Sequence, residues 1–97
     1  MAENVIPRIA QVQERVANNL KFFRGKLGMS QEKLAERAGL HRTQLSAIEK
    51  GGNMRLSTLV SLAVALGVDE VDLLAERDEA PVALKAGRKR MDEGASE

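Results

Sequence analysis

The stretch QEKLAERAGLHRTQLSAIEK, residues 31–50, decides how the rest of this chain is interpreted. It predicts two short helices joined by a tight turn around Gly39, a residue type that tolerates the positive φ with which helices often end. Ala35, four residues earlier, is small enough to let the two helices cross closely. Leu45 and Ile48 are three residues apart, so both can face the core from the second helix. The second helix then has an outward face made of Arg42, Thr43, Gln44, Ser46, Ala47 and Lys50.

Two helices with these spacings have the form of a helix-turn-helix, whose second helix enters the major groove of DNA. An ordinary αα-hairpin shares the apolar pattern and is the alternative; the small residue, the glycine and the two apolar positions together favour DNA binding. Ser30 is a good cap for the first helix. His41 occupies the cap of the second, with Gln44 placed to reach back to the cap backbone. His41 is equally well explained as a weak cap and as a side chain aimed at DNA.

Length indicates one small domain plus tails, and composition favours an all-α fold. The chain has 97 residues and only 2% aromatics, which suits packed helices better than a β-sandwich. It has no Cys, and therefore neither a disulfide nor a thiolate metal site, which is consistent with a reducing cytosol. It contains no apolar run long enough to span a bilayer and no signal peptide at MAENVIPR. We therefore expect a soluble cytoplasmic, nucleoid-associated protein with no membrane contact.

An enzyme is not expected. The chain has one His, no Cys and no Gly-rich phosphate loop, and the acids after Gly67 lie at helix caps and ends. We expect no catalytic residue, no metal site and no cofactor.

The net charge of +1 conceals an uneven distribution along the chain. Residues 16–55 hold eight bases and three acids, a balance of +5, whereas residues 56–80 hold one base and six acids, a balance of −5. The basic part contains the helix pair. Because phosphate contacts supply much of the affinity between proteins and DNA, this segregation favours DNA as the partner.

Hydrophobic spacing predicts five helices. The first runs from about Ile9 to Leu27, with Ile9, Val12, Val16, Leu20, Phe23 and Leu27 forming one stripe. The helix pair follows, and its second member ends at Gly51-Gly52. The fourth helix, about residues 56–66, is expected to bury Leu56, Leu59, Leu62, Ala63 and Leu66. Asn53 and Ser57 are the two candidates for its cap. A short fifth helix begins after Asp69 and ends near residue 75 or 76.

The sequence resembles the phage-repressor family of helix-turn-helix proteins, also called Xre or Cro-like. Residues 16–76 carry the family pattern in Leu20, Arg24, Ser30, Gln31, Leu34, Ala35, Ala38, Gly39, Leu45, Ile48, Glu49, Gly51, Leu59, Leu62, Ala65, Leu66, Gly67 and Val68. The stretch HRTQLSAIEKGGNMRLSTL is also similar, less specifically, to controller proteins of restriction–modification operons. The resemblance implies a five-helix lambda-repressor-like domain that binds double-stranded operator DNA, commonly as a homodimer, and regulates transcription. Residues 1–15 then extend helix one, and residues 77–97 form a polar, flexible C-terminal tail.

The resemblance also implies roles for individual residues. The recognition helix, residues 42–50, and its cap are expected to contact DNA bases. The residues expected to do so are His41, Arg42, Thr43, Gln44, Ser46 and Ala47. Arg42 is the strongest of these because Arg pairs well with guanine O6 and N7. The residues expected to contact DNA phosphates are Gln31, Lys50, Asn53 and Arg55. Arg24 and Glu49 correspond to a structural ion pair between helices one and three.

Two features remain open to more than one interpretation. The dimer interface is expected at an apolar edge formed by Val60, Val64, Val71 and Leu74, with Ile9 and Val12 of helix one as the competing site. The tail is a possible segment for a protein partner, and its basic run at residues 85–90 can equally touch DNA. The alternatives for function are accordingly an antitoxin-like protein or another helical protein-interaction module.

Overall fold

The computed structural model describes residues 4–77, which form five α-helices and no strand. The helices are α1 (Val5–Lys26), α2 (Gln31–Ala38), α3 (Arg42–Glu49), α4 (Leu56–Leu66) and α5 (Glu70–Leu74). The predicted five-helix, all-α fold is therefore confirmed. No helix in this part of the chain is both long enough and apolar enough to cross a membrane. Of the predicted C-terminal tail, residues 77–97, only residue 77 is described; the predictions for residues 78–97 lie outside the described part of the chain.

The core contains one completely buried leucine from each helix. Each has a relative exposure of 0%, and in chain order they are Leu20, Leu34, Leu45, Leu62 and Leu73. Burying one such side chain stabilises a fold by about 1.5–3 kcal/mol. Smaller residues let the helices approach one another, and Ala63 on α4 and Ala35 on α2 are both buried. The five helices thus form one hydrophobic core rather than separate pairs.

Side-chain caps and glycines set the ends of several helices. Ser30 accepts a hydrogen bond from the Lys33 backbone N–H at 3.0 Å, which begins α2. At the start of α5, Asp69 accepts one from the Val71 N–H at 2.9 Å, and Asp72 accepts one from the Asp69 N–H at 3.0 Å. α4 ends at Gly67, whose φ of +73° is reached at little steric cost without a Cβ.

The ends of α1 differ from the prediction. The helix begins at Val5, one turn before the expected Ile9, and stops at Lys26. Leu27 is consequently not part of the buried stripe; it is 53% exposed, because the chain turns away at Gly28 with φ +62°. Ile9 is also largely exposed, because the helix extends beyond the core at this end.

The start of α4 is a second correction. Leu56, expected in the core, is 78% exposed because it lies in the first turn of α4, at the edge of the domain. Arg55 occupies the cap position and makes no side-chain cap bond, so neither Asn53 nor Ser57 is the cap. The Asn53 side-chain oxygen instead accepts from the Met54 N–H at 2.9 Å.

A buried asparagine that the sequence pattern did not single out joins α5 to α1. The Asn19 amide is 1% exposed and donates to the carbonyls of Leu73 and Ala75 at 2.8 and 2.7 Å. Its oxygen accepts from Arg77 Nε at 2.7 Å. The Arg77 guanidinium also lies 4.4 Å and 4.6 Å from the centroids of the two Phe rings of α1, Phe22 and Phe23. These contacts hold the chain after α5 against the flank of α1.

Candidate DNA-binding surface

The turn between α2 and α3 is set by two backbone features. Gly39 has φ +75°, in the left-handed region that favours glycine. The Leu40 N–H then donates to the Ala35 carbonyl at 2.8 Å, which closes the end of α2. Ala35 itself is only 2% exposed, so a larger side chain here has no room. These residues together set the angle at which α3 leaves α2.

α3 has one buried face and one solvent-facing face. Leu45 and Ile48 are buried in the core, as their spacing predicts. Of the six predicted base-contacting residues, Ser46 is half-buried. The other five are exposed, and they are His41, Arg42, Thr43, Gln44 and Ala47. The structure thus brings the predicted residues together on one side of an eight-residue helix.

Gln44 has a structural role besides its place on this face. Its side-chain Oε1 accepts a hydrogen bond from the His41 backbone N–H at 3.2 Å, which ties the first turn of α3 together. Reading adenine by a glutamine needs both the oxygen and the NH₂ group. While this capping bond is made, the NH₂ group and only one lone pair of Oε1 remain available. Arg42 is the only basic residue of α3, and its guanidinium is the strongest hydrogen-bond donor on the helix.

A buried carboxylate links α1, α2 and α3 behind this face. Glu49 is 4% exposed and receives two hydrogen bonds from Arg24, at 2.9 and 3.0 Å. Arg24 also donates to the Met29 carbonyl at 3.0 Å. This two-pronged pairing is the geometry in which Arg and carboxylate bind most strongly.

The third member of the network is Gln31, a predicted phosphate contact. Its Nε2 donates to Glu49 Oε1 at 2.9 Å, and the residue is half-buried. This bond was not expected from the sequence, because nothing in the eighteen-residue separation indicates it. The second N–H of the Gln31 amide and the backbone N–H groups of the first turn that the Ser30 cap does not use remain as donors for an anion at this position.

The segment after α3 carries the other predicted phosphate contacts. Lys50, Asn53 and Arg55 are all exposed. Gly52 allows the chain to pass α3 closely, since a Cβ there would lie 2.8 Å from the Ala47 carbonyl oxygen. The segment is therefore held against the end of α3, with three side chains that can donate to phosphate.

Basic residues lie at both ends of the outward face of α3. Arg42 lies at its start, and Lys50 and Arg55 follow its end. Glu49, the acid nearest to them in sequence, is buried and neutralised by Arg24. The charge presented beside α3 is thus positive, as an anionic double helix requires.

A family model described as helix-turn-helix matches residues 20–73, more than half of the chain. The chain belongs to this helix-turn-helix family. The match covers α2, α3 and α4 and most of α5, and it supports the Xre-type resemblance of the sequence.

Several proteins similar to this chain are named as regulators. Control protein C.SmaI of Serratia marcescens is 42% identical over 67 residues, covering 68% of this chain and 80% of that protein. Control protein C.BamHI of Bacillus amyloliquefaciens is 50% identical, covering 61% of this chain and 85% of that protein. A hypothetical transcription factor of Neisseria meningitidis is 40% identical over 75 residues, covering 76% and 71% respectively.

Two crystal structures share the fold. The Neisseria transcription factor superposes with a TM-score of 0.65 at 41% identity, covering 67% of this chain and 76% of that one. The restriction–modification controller protein C.AhdI of Aeromonas hydrophila gives 0.61 at 32% identity, covering 63% and 94%.

This family member is a DNA-binding transcriptional regulator. Its relatives are named as transcription factors and control proteins rather than enzymes. Within residues 4–77, no cluster of His, Asp and Glu has the arrangement to hold a metal ion.

Proposed function

We propose that the protein binds a palindromic operator as a homodimer, with α3 of each copy in one major groove. The observation that carries this proposal is the outward face of α3, where exposed polar side chains lie between two basic regions. Arg42 reads a guanine through O6 and N7, and Thr43 contacts a thymine methyl. Ala47 offers a small apolar surface, whereas His41, Gln44 and Ser46 lie beside these contacts.

Phosphates on either side of the groove fix the position of α3. The start of α2 at Gln31 provides backbone N–H groups to one phosphate. Lys50, Asn53 and Arg55 provide side-chain donors to the strand on the other side of α3. Contacts of this kind set register and orientation but do not distinguish sequences.

A dimer follows from the small footprint of one copy. A single eight-residue helix covers only a few base pairs, whereas a two-fold axis places two such helices about 34 Å apart on one face of the duplex. The second copy contacts the apolar edge of α4 and α5, where Val60, Val64, Val71 and Leu74 are 44%, 72%, 65% and 37% exposed. These residues lie on helices other than the recognition pair, so dimerisation leaves α3 free.

The direct test is selection of bound sequences from a random DNA pool with the purified protein. A palindrome with half-sites one helical turn apart is the expected result, and enrichment of a single half-site would contradict the dimer. No enrichment above salt-sensitive background binding would contradict sequence recognition itself.

Val64→Glu tests the interface separately, because the Val64 side chain is 72% exposed and its replacement leaves the core intact. We expect this variant to shift toward monomer in sedimentation and to lose much more affinity for the full palindrome than for a half-site. A dimer that survives the substitution would exclude this edge.

The similarity to the control proteins C.SmaI and C.BamHI supports a narrower role. We propose that the chain controls transcription of a small operon in the manner of a control protein. Mapping its bound sites in the genome of its host tests this: a few strong sites upstream of one operon are expected, and many dispersed sites would contradict it.

A further inference from the structure

The first two turns of α1 extend beyond the body of the domain. Every residue from 4 to 11 is exposed although 5–11 are helical. Among them Val5, Ile6 and Ile9 are 46%, 77% and 46% exposed. We call residues 4–11 the arm.

Little within one copy stabilises the arm as a helix. Its cap, Asn4, makes no side-chain capping bond, and its first turn holds no acid to interact with the helix dipole. Val and Ile also have lower helix propensity than Ala or Leu because their χ1 freedom is restricted. An amphipathic helix end with these properties needs an apolar surface to cover it.

A wide apolar groove lies beside the arm. Its volume is about 870 Å³, and its walls come from the arm and α1 on one side and the start of α4 and the end of α5 on the other. Val12, Met54, Leu56 and Leu74 line it. The exposed apolar surface continues along α4 and α5 beyond the groove, through the edge described above. The two dimer sites considered from the sequence, the α4–α5 edge and helix one, are therefore parts of one surface.

The distribution of charge indicates which parts of this surface come together between two copies of the chain. The arm carries Arg8, which lines the groove, and no acid between residues 5 and 11. α5 carries Glu70 and Asp72 beside its exposed Val71, and no base. Arm against arm would oppose two arginines, whereas arm against α5 joins apolar residues and brings Arg8 toward Glu70. In a two-fold dimer each such contact occurs twice.

We propose that the arm is a dimerisation arm, which packs in a second copy of the chain against the apolar face of α4 and α5. Val5, Ile6 and Ile9 supply the apolar contacts, and Arg8 faces Glu70 of the other copy. The inference rests on the proposed homodimer and specifies its partner surface. Exposed apolar side chains grouped on one surface of a soluble protein usually mark an interaction site.

The first experiment compares two substitutions at opposite ends of α1 by sedimentation equilibrium of the full chain. Ile6→Glu should weaken dimerisation by at least about tenfold, since it replaces a buried interface residue with a charge. Leu27→Glu is the matched control, because Leu27 is also exposed but lies at the far end of the helix. It should dimerise as the unsubstituted chain does.

The second experiment tests the charge assignment. Arg8→Glu alone should weaken dimerisation about three- to fivefold, and combining it with Glu70→Arg should restore the original affinity. Restoration is specific to the pair, because a loss of helix stability in the arm would persist in the double variant.

The outcomes separate this inference from the proposed function. If Ile6→Glu dimerises normally while Val64→Glu does not, the arm contact is wrong and the α4–α5 dimer stands. The arm contact is equally wrong if the tail rather than a second copy covers the groove, because Ile6→Glu then leaves the dimer unchanged. If the unsubstituted chain is monomeric yet selects a single half-site, both the arm contact and the dimer are wrong.

Discussion

The buried network behind α3 gives the sharpest prediction about stability. Arg24→Met removes both hydrogen bonds to Glu49, whose side chain is 3% exposed, and leaves Gln31 as its remaining side-chain partner. Stranding a buried charge in this way costs about 3–5 kcal/mol. For a domain of this size, this corresponds to a fall in Tm of at least about 12 °C.

The reverse substitution should cost less. Glu49→Leu leaves the Arg24 side chain without its carboxylate, but that side chain is 22% exposed and can reach water. We therefore expect Arg24→Met to destabilise the fold more than Glu49→Leu, with a coupling of about 1–3 kcal/mol between them.

Urea unfolding of both single variants and of the double variant measures this coupling. Lys33→Met is the control, because Lys33 pairs with Glu36 only at 3.9 Å on an exposed surface and should change stability by less than about 0.5 kcal/mol. Additive effects of Arg24→Met and Glu49→Leu would refute the assigned network.

Two further predictions concern residues that position other parts of the fold. Gly52→Ala should destabilise the fold by about 1–3 kcal/mol, measured by thermal unfolding, because the added Cβ would lie 2.8 Å from the Ala47 carbonyl oxygen. An unchanged Tm would contradict this prediction, since the backbone would then shift without cost. Asn19→Ala should cost about 2–4 kcal/mol because it leaves the buried Leu73 carbonyl without its donor and also removes the part-buried bond to Ala75. Arg77→Ala should cost about 1–2 kcal/mol, and equal costs in urea unfolding would contradict the central role of Asn19.

Much of the fold follows from local sequence signals. Ser30 acts through its side chain, and Gly39 and Gly67 through their positive φ, all within a few residues of the helix end concerned. Both ends of α2 and the C-terminal end of α4 could therefore be predicted from the sequence. The leucines of the core follow from helical spacing in the same way. Leu56 shows the limit of that spacing, since its periodicity matches the buried stripe but its place in the first turn of α4 puts it at the edge of the domain.

The contacts within the site were harder to predict from the sequence, because they join residues that are far apart in the chain. The bond from Gln31 to Glu49 joins helices whose separation only tertiary packing fixes. Asn19 did carry a signal: it lies three residues after Val16 and four before Phe23, so a polar side chain on the buried face of α1 was foreseeable. Its partners, the carbonyls at the end of α5, were not.

The central claim is that α3 reads DNA sequence whereas the residues after it bind the backbone. Affinities of the unsubstituted chain, Arg42→Ala and Lys50→Ala, measured at several salt concentrations on the selected operator and on its single-base variants, test that claim most directly. We predict that Arg42→Ala loses about 1–3 kcal/mol and discrimination at one position of each half-site. Lys50→Ala should weaken all sequences alike and lower the salt dependence by about one phosphate contact. Discrimination that is unchanged by Arg42→Ala would contradict the claim.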